Sequence, residues 1–190
     1  MTTPPLVLIG LPGVGKSSVG SELASRLDRP FIDLDSTIEA RTGRAITEIF
    51  DREGETRFRQ FEHEALITAL DGPDAPIVAA GGGIVVSEDN RRALADRSTV
   101  VWLDVPIPAL LSRLTGDDSR PLLAGDTAER LRRLHRERLG LYTTTADAIV
   151  PDDGQRSPAA MADAVLAAVT SAVDHREART EPVEFADGRS

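Results

Sequence analysis

The stretch LVLIGLPGVGKSSVG at residues 6–20 places an apolar run before a glycine-rich turn and the start of a helical pattern. The turn carries the spacing G-x-x-x-x-G-K-S, from Gly10 to Ser17, which is that of a P-loop. In a P-loop, backbone N–H groups surround the phosphates of a nucleotide, the lysine reaches the β- and γ-phosphates, and the hydroxyl binds magnesium. Apolar side chains then recur every four residues up to Leu27, so a helix follows the turn as the motif requires. The stretch predicts a site for ATP or GTP.

The composition limits the size and the partners of the protein. With 190 residues, 41% of them hydrophobic, the chain is long enough for one domain with a sizeable core. Its net charge of −9 argues against a nucleic acid or an anionic membrane as partner, since both are bound through an excess of lysine and arginine. The sequence has no cysteine, which excludes disulfides and cysteine-ligated metal sites, and no signal peptide or membrane span is recognisable. We therefore expect a cytoplasmic monomer with small-molecule ligands and no nucleic-acid or membrane partner.

Apolar strands and amphipathic helices alternate along the chain, which predicts an α/β fold with a parallel sheet and helices on both faces. The predicted strands are 6–9, 31–35, 77–80, 100–105 and 146–150. The predicted helices are 16–27, one opened by the capping box Ser36-x-x-Glu39, 55–70, one entered at Pro106 and Pro108, 128–139, and one that starts at Ser157-Pro158. Because the polar stretch 175–190 has no periodicity, we expect a single domain at 1–174 and a disordered acidic tail.

Lys16 is the sole lysine of the chain. The sequence therefore lacks an Asn-Lys-x-Asp element, which guanine-specific GTPases usually carry. The third predicted strand runs into the glycines 81–83 rather than into the aspartate expected of many P-loop ATPases. A magnesium ion at the P-loop must take its carboxylate ligand from elsewhere in the chain.

Two carboxylates mark the end of the second predicted strand. Asp33 and Asp35 stand two residues apart, so on a strand both side chains point to one face at the carboxyl edge of the sheet, where open α/β sheets bind ligands. One could hold magnesium through water, and the other could accept a hydrogen bond and a proton from a substrate hydroxyl. The alternative is that both are ordinary N-terminal charges of the helix that follows.

Three consecutive glycines and an arginine supply further candidate contacts. Gly81, Gly82 and Gly83 directly follow a buried strand, where they either let a ligand approach the backbone closely or form a plain turn. Arg59 and Glu62 stand at i and i+3 on a predicted helix, either in a site or as a solvated ion pair.

The second half of the chain offers fewer candidates. Arg138 precedes Tyr142 by one helical turn among several other arginines, and the same two interpretations apply to it. Arg120 lies in the polar segment 115–126, which is either a mobile lid of a phosphoryl-transfer enzyme or an ordinary loop. The three histidines have no metal-ligand spacing, so a histidine metal site is not expected.

Taken together, these motifs resemble the shikimate kinase family over residues 6–173. The motifs that stand in the family's order and at similar spacing are Gly10 to Ser17, Asp33-x-Asp35, Phe58-Arg59-x-x-Glu62, Gly81-Gly82-Gly83, Arg120-Pro121-Leu122-Leu123 and Arg138-x-x-x-Tyr142. The resemblance implies a P-loop kinase of the nucleoside-monophosphate-kinase type. Such a kinase has a five-stranded parallel sheet flanked by helices, a substrate-binding helical region and a closing lid at about 115–126.

The resemblance implies that ATP and Mg²⁺ are held at one end of the site. Lys16 would contact the phosphates, Ser17 and Asp33 would bind the metal, and Arg120 would neutralise charge on the transferring phosphoryl group. The nucleotide-binding residues implied in this way are Gly13, Val14, Gly15, Lys16, Ser17, Ser18, Arg120, Arg156 and Pro158.

The resemblance implies that shikimate is held at the other end. Asp35 would hydrogen-bond the ring hydroxyls and orient or deprotonate the attacking one, while Arg59, Gly82 and Arg138 would bind the carboxylate. The implied substrate-binding residues are Asp35, Arg59, Gly81, Gly82, Gly83 and Arg138, and the implied catalytic residues are Lys16, Asp35 and Arg120. The implied reaction turns ATP and shikimate into ADP and shikimate 3-phosphate, a step toward chorismate and the aromatic amino acids.

Two alternatives stay open at this point. One is a gluconate-type or other small-polyol kinase on the same scaffold, and the other is a P-loop regulatory module without a small acceptor. The chain also departs from its relatives at Leu114, where they often stack an arginine on adenine, although Arg113 stands one residue earlier. The adenine therefore contacts either Arg113 or the pair Arg156 and Pro158.

Overall fold

The computed structural model describes residues 3–115 and 127–180, without the side chains of residues 113–115 and 173–180. In these ranges five strands form one parallel sheet in the order β2-β3-β1-β4-β5. The strands are β1 (Leu6–Ile9), β2 (Phe31–Asp33), β3 (Ile77–Ala79), β4 (Thr99–Asp104) and β5 (Ala148–Pro151). The predicted α/β architecture with a five-stranded parallel sheet is confirmed.

The centre of the sheet is buried on both faces because its strands are apolar throughout. β1 lies between β3 and β4, with Leu8 in register with Ala79 on one side and Val101 on the other. All residues of β1 and of β3 are buried. Double burial of this kind is typical of a parallel sheet that carries helices on both faces. The loops that leave β1 and β3 therefore start from rigid, adjacent strands.

Helices connect the strands along the chain. They are α1 (Lys16–Leu27), α2 (Leu34–Thr42), α3 (Ile46–Leu70), α4 (Glu88–Arg97), α5 (Ile107–Thr115), α6 (Thr127–Thr145) and α7 (Pro158–Thr180), with a short 3₁₀ turn at Ile84–Val86. The sequence pattern does not predict α4, because Asn90 and Leu94 are the buried residues of this helix and its apolar periodicity is weak.

The second strand is shorter than predicted, and this changes the setting of both candidate carboxylates. β2 ends at Asp33, whose side chain accepts a hydrogen bond from the Ser36 N–H at 3.1 Å and caps α2. Asp35 therefore lies in the first turn of a helix and not on a strand, and the predicted capping box at Ser36 is wrong. The physical reason is that an aspartate N-cap satisfies free N–H groups of the helix and so ends the extended backbone two residues earlier.

α6 is longer than the sequence pattern indicates, whereas α3 consists of two helical segments. Gly54, with φ 80° and ψ 173°, has a non-helical backbone and separates a first segment at 46–53 from a second at 55–70, so the helix predicted at 55–70 is confirmed. α6 continues through Gly140 to Thr145, since Tyr142 and Thr145 are buried beyond the glycine and hold the last turns in place. This extension matters for the site described below, because it places the Tyr142 side chain on the same helix as Arg138.

The C-terminal helix also differs from its prediction. α7 continues to Thr180, past the domain end expected at residue 174, and its last turns contain arginine, glutamate and alanine, which favour helix. The rest of the expected tail, 181–190, lies outside the described residues. Among the helices in the described ranges, none combines the length and the apolar character that crossing a membrane requires.

Candidate active site

The P-loop connects β1 to the N-terminus of α1. Gly10, at φ 144°, lies so close to β4 that a Cβ there would be 2.7 Å from the Leu103 carbonyl oxygen. Gly15 is the N-cap of α1 at φ 94°, a left-handed conformation that favours glycine. The first N–H groups of α1 and its positive dipole end therefore face the loop, which is the arrangement of an anion site.

Lys16 lies at the start of α1 and folds back over the loop. Its ammonium donates to the carbonyl oxygens of Gly10 at 3.0 Å and Leu11 at 2.9 Å. Burial lowers the pKa of Lys16 to about 8, while the nearby carboxylates of Asp35 and Asp33 oppose this shift. The ammonium is therefore positioned between the P-loop and the acidic segment that follows β2.

Ser17 and Asp33 form a pair next to this lysine. The Ser17 hydroxyl donates to Asp33 Oδ2 at 2.5 Å, and the other oxygen of Asp33 accepts the capping hydrogen bond from the α2 backbone. A hydroxyl and a carboxylate are hard oxygen donors, and a site with one or two carboxylates plus substrate phosphates is the usual way in which proteins hold Mg²⁺. In residues 3–115 and 127–180 no group of three or more His, Cys, Asp or Glu could hold a metal ion. A magnesium ion at this pair would share the phosphate oxygens of the nucleotide as ligands.

Asp35 presents a carboxylate oxygen into the same space. Its Oδ1 atom is buried and accepts no hydrogen bond from any described residue. Burial raises the pKa of Asp35 and the neighbouring Asp33 charge adds to the rise, while Lys16 lowers it. A buried acceptor without a partner is costly unless a ligand supplies the donor. This oxygen is therefore placed to accept a hydrogen bond from a bound molecule.

The glycines 81–83 follow β3, and a side chain at any of these positions would come too close to neighbouring groups. None of the three has a positive φ, so their backbone suits any residue. A Cβ at Gly81 would lie 2.9 Å from Asp35 Oδ1 and equally close to Glu62 Oε1, and one at Gly82 would lie 2.9 Å from Pro12 Cδ. A Cβ at Gly83 would collide with the Arg59 guanidinium. The backbone of this segment is thus enclosed by the P-loop, the start of α2 and the middle of α3.

Arg59 projects from α3 toward Gly83 and is held by two carboxylates. It donates to Glu62 Oε2 at 2.7 Å and to Glu55 Oε1 at 2.9 Å, and its own side chain is 20% exposed. Glu62 is fully buried, its Oε1 accepts no hydrogen bond from the described residues, and burial raises the pKa of its carboxyl group despite the opposing charge of Arg59. The pair is therefore not a solvated surface ion pair, because its Glu62 carboxylate is buried.

The burial of Glu62 was detectable in the pattern of its helix. Glu62 lies on the buried face of α3, whose buried residues in this part of the helix are Phe58, Phe61, Glu62, Ala65, Leu66 and Ala69. A carboxylate on an apolar helix face requires a partner, and Arg59 one turn earlier supplies it.

Arg138 and Tyr142 converge on one atom. The Arg138 guanidinium donates to the Gly82 carbonyl oxygen at 2.9 Å, and the Tyr142 hydroxyl donates to the same oxygen at 2.5 Å. Tyr142 is fully buried, and its ring stacks on Trp102 of β4 with centroids 5.6 Å apart. Arg138 thus lies with Arg59 at the glycine segment. The sequence pattern alone does not show that Tyr142 also contacts this segment.

The remaining candidate residues lie elsewhere or outside the described ranges. Arg120 and most of the segment 115–126 lie outside the described residues, as do the side chains of Arg113 and Leu114. Arg156 donates to the Pro151 carbonyl oxygen at 3.0 Å and lines a cleft of about 550 Å³ with Asp104 at the end of β4. Pro158 is the first residue of α7. This cleft lies at the same carboxyl edge of the sheet as the P-loop.

Another feature that the sequence analysis does not identify is an aromatic pair beside Arg59. The rings of Phe50 and Phe58 lie with centroids 4.5 Å apart across the interruption at Gly54, and the Arg59 guanidinium carbon is 5.4 Å from the Phe58 centroid. Phe50 keeps 36% of its surface exposed. The guanidinium of Arg59 thus lies near the ring of Phe58, which in turn packs against Phe50 of the segment 46–53.

The described residues therefore form two charged regions around one carboxylate. Lys16, Ser17 and Asp33 occupy the P-loop side, Arg59 and Arg138 occupy the glycine side, and Asp35 lies between them with a free oxygen. Such a site can hold a polyphosphate at one end and an anionic hydroxy compound at the other.

Comparisons with known proteins agree with this arrangement. The family model described as shikimate kinase matches residues 12–170. The shikimate kinase of Halorhodospira halophila is 47% identical over 153 residues, which cover 80% of this chain and 86% of that protein. The structure of shikimate kinase from Acinetobacter baumannii in complex with shikimate superposes with a TM-score of 0.82 at 36% identity, covering 90% of this chain and 94% of that one. A gluconokinase from Sinorhizobium meliloti has a TM-score of 0.59 at 15% identity over 93% of this chain and 97% of that one, and so shares the fold alone. On these matches, the chain belongs to the shikimate kinase family.

Proposed function

We propose that this protein transfers the γ-phosphoryl group of ATP to the 3-hydroxyl of shikimate, giving shikimate 3-phosphate and ADP. The observation that carries the proposal is the buried, unpartnered oxygen of Asp35, which lies between the P-loop lysine and the two arginines at the glycine segment. Shikimate has a carboxylate and three hydroxyls on one ring, and this site offers a cationic end and a carboxylate acceptor to match them.

At the phosphate end, the protein binds and orients ATP. The first N–H groups of α1, together with Lys16, surround the β- and γ-phosphates, and Ser18 continues the loop into the helix. Ser17 and Asp33 are the residues that would hold Mg²⁺. The metal, when bound, supplies charge neutralisation on the phosphate oxygens.

At the acceptor end, Arg59 and Arg138 bind the ring carboxylate through charge-assisted hydrogen bonds. Glu62 and Glu55 fix the guanidinium of Arg59, and the Gly82 carbonyl fixes that of Arg138, so neither arginine has to be ordered when the substrate arrives. This preorganisation directs the opposite side of the ring, which carries the hydroxyls, toward Asp35.

Asp35 accepts the hydrogen bond of the attacking hydroxyl and takes its proton as the new bond to phosphorus forms. The bond between the γ-phosphorus and the bridging oxygen breaks, and the electron pair leaves with ADP. Burial raises the pKa of Asp35, which makes its carboxylate a stronger base than an exposed aspartate. Since phosphoryl transfer needs little covalent work from the protein, positioning and charge stabilisation supply most of the rate.

We also propose that the protein acts as a cytoplasmic monomer without a nucleic-acid partner. The net charge of −9 supports the absence of a nucleic-acid partner, because it disfavours binding to a phosphate backbone. The proposed site is built within a single chain, so catalysis does not require a second copy. Size-exclusion chromatography with light scattering tests the proposal, and a dimer at assay concentrations would contradict it.

The test of the proposed activity measures ADP release from Mg-ATP with shikimate, with gluconate and without an acceptor. We expect strong stimulation by shikimate alone. Stimulation by gluconate instead would keep the kinase scaffold but overturn the assignment of Arg59 and Arg138 to a ring carboxylate. Stimulation by neither compound would favour a P-loop module without a small acceptor.

The Asp35→Asn variant tests the catalytic assignment in the same assay. Asparagine keeps the size of the side chain but cannot take the proton, so we expect turnover to fall to the background rate. Binding of ATP, measured by calorimetry below pH 7, where Lys16 is charged, should stay close to that of the wild type because Asp35 is not part of the P-loop. Unchanged turnover would remove Asp35 from the catalytic role.

A further inference from the structure

We propose that Tyr142 is a positioning residue for the acceptor, whose hydroxyl fixes the Gly82 carbonyl and thereby the orientation of Arg138 and of the glycine segment. This inference rests on the proposed function. Tyr142 touches neither the phosphate site nor the free oxygen of Asp35 in the described contacts, so its effect passes through Gly82 and Arg138.

The geometry ties two donors from one helix to a single acceptor. The Gly82 carbonyl oxygen accepts from the Tyr142 hydroxyl at 2.5 Å and from the Arg138 guanidinium at 2.9 Å, which uses both of its lone pairs. A guanidinium has five N–H donors, so Arg138 keeps donors for a carboxylate while one fixes its plane. With both donors in place, the Gly82 peptide and Arg138 hold one mutual orientation.

Packing alone does not require the hydroxyl of this residue. The Tyr142 ring is fully buried and stacks on Trp102, contacts that a phenylalanine ring would make equally well. A buried hydroxyl is costly unless it is hydrogen-bonded, and here its partner is the backbone of the glycine segment. Burial raises the pKa of Tyr142, so the hydroxyl keeps its proton and remains a donor across the working pH range.

The glycine segment needs an external constraint because it has no side chains of its own. Glycine loses more conformational freedom on ordering than any other residue. Pro12 of the P-loop closes one side of Gly82, while Asp35 and Arg59 pack against its two neighbours. A rotation of the Gly82 peptide would therefore displace the groups that bind the acceptor, and the Tyr142 hydroxyl opposes that rotation.

The first experiment compares Tyr142→Phe with wild type and with the matched control Thr145→Val. Thr145 lies on the same helix, is buried, and donates its hydroxyl to the Leu141 carbonyl within α6 at 2.7 Å, so the control removes a buried hydroxyl that does not reach Gly82. We expect Tyr142→Phe to raise the KM and the Kd for shikimate by roughly three- to tenfold, the value of one hydrogen bond, with the KM for ATP within twofold of wild type. The control should change none of these constants.

The outcomes separate this proposal from the proposed function. A wild-type protein without shikimate-dependent ADP release would refute the function itself. With an active wild type, equal changes in the constants for both substrates, or no change in either, would show that the Tyr142 hydroxyl is structural and would overturn the proposal. Melting curves are recorded for each variant. Loss of a purely structural hydroxyl would lower Tm without changing the constants for shikimate more than those for ATP.

A second measurement needs no substitution. Tyr142 is the sole tyrosine of the chain, so growth on 3-fluorotyrosine labels this position alone. We expect saturating shikimate to shift the ¹⁹F resonance, since the carboxylate binds the guanidinium that shares the Gly82 oxygen with the phenol. A resonance that shikimate leaves in place, in a protein that turns shikimate over, would also refute the positioning role.

Discussion

Replacing Gly81 by alanine tests whether the glycine segment is needed for space around the catalytic carboxylate. The added Cβ would lie 2.9 Å from Asp35 Oδ1 and 2.9 Å from Glu62 Oε1, whereas ordinary contact begins at 3.4 Å. Each carboxylate, or the glycine backbone itself, must therefore move by about 0.5 Å. The Asp35 and Glu62 carboxylates have little space into which to move, because Asp35 Oδ1 and Glu62 Oε1 are buried. The backbone conformation of residue 81 accepts alanine, so the effect comes from this displacement and not from strain at φ.

The expected result is a fall in kcat of about tenfold, since a displacement of ~1 Å in a reacting group costs about a hundredfold and this one is half as large. The assay is ADP release at saturating Mg-ATP and shikimate. Gly140→Ala is the matched control, because a Cβ there meets nothing within 4 Å and alanine in the interior of α6 should stabilise the fold by about 1 kcal/mol without altering kcat. A Gly81→Ala enzyme with kcat within twofold of wild type would refute the steric reasoning.

Two further predictions follow from the charges in the site. Because burial lowers the pKa of Lys16 to about 8 and the ammonium must be charged to bind phosphate, kcat/KM for ATP should fall as pH rises through 8. It should also fall at acid pH, because burial raises the pKa of Asp35 and its protonated carboxyl group cannot accept the substrate proton. A pH profile in which the fall comes only near the usual value of 10.5 would contradict this assignment. Arg59→Ala should raise the KM for shikimate by an amount equivalent to about 2–4 kcal/mol, and far more than the KM for ATP, with a lower Tm because buried Glu62 loses its partner. Equal rises in both constants would identify Arg59 as a purely structural residue.

The parts of the molecule that depend on local sequence were predictable. The apolar run of β1, the glycine spacing of the P-loop and the regular pattern of α1 lie next to one another in the chain, so the nucleotide end of the site follows from one stretch. The parallel sheet follows from the alternation of strands and helices in the same way.

Other features depend on contacts between distant parts of the chain, and the sequence pattern could not reveal them. The end of β2 is set by Asp33, which caps α2 while it also accepts from Ser17, and the strand pattern gives no sign of this double role. The convergence of Arg138 and Tyr142 on Gly82 joins residues that are more than 50 positions apart. The resemblance to a family supplied Arg138 as a ligand contact, but the role of Tyr142 required the structure.

The net charge of the chain is a poor guide to this site, and the arrangement of its buried groups explains why. A protein with a charge of −9 repels anions at long range, but salt screens surface charges beyond about 10 Å. Within the site, Lys16, Arg59 and Arg138 each donate to a carbonyl or a carboxylate that fixes the direction of the cation. Partly buried charges that are oriented in this way interact with a ligand more strongly than fully exposed charges do, because their surroundings are less polarisable than water. We therefore expect affinity for phosphate and carboxylate to depend more on these oriented cations than on the sign of the total charge.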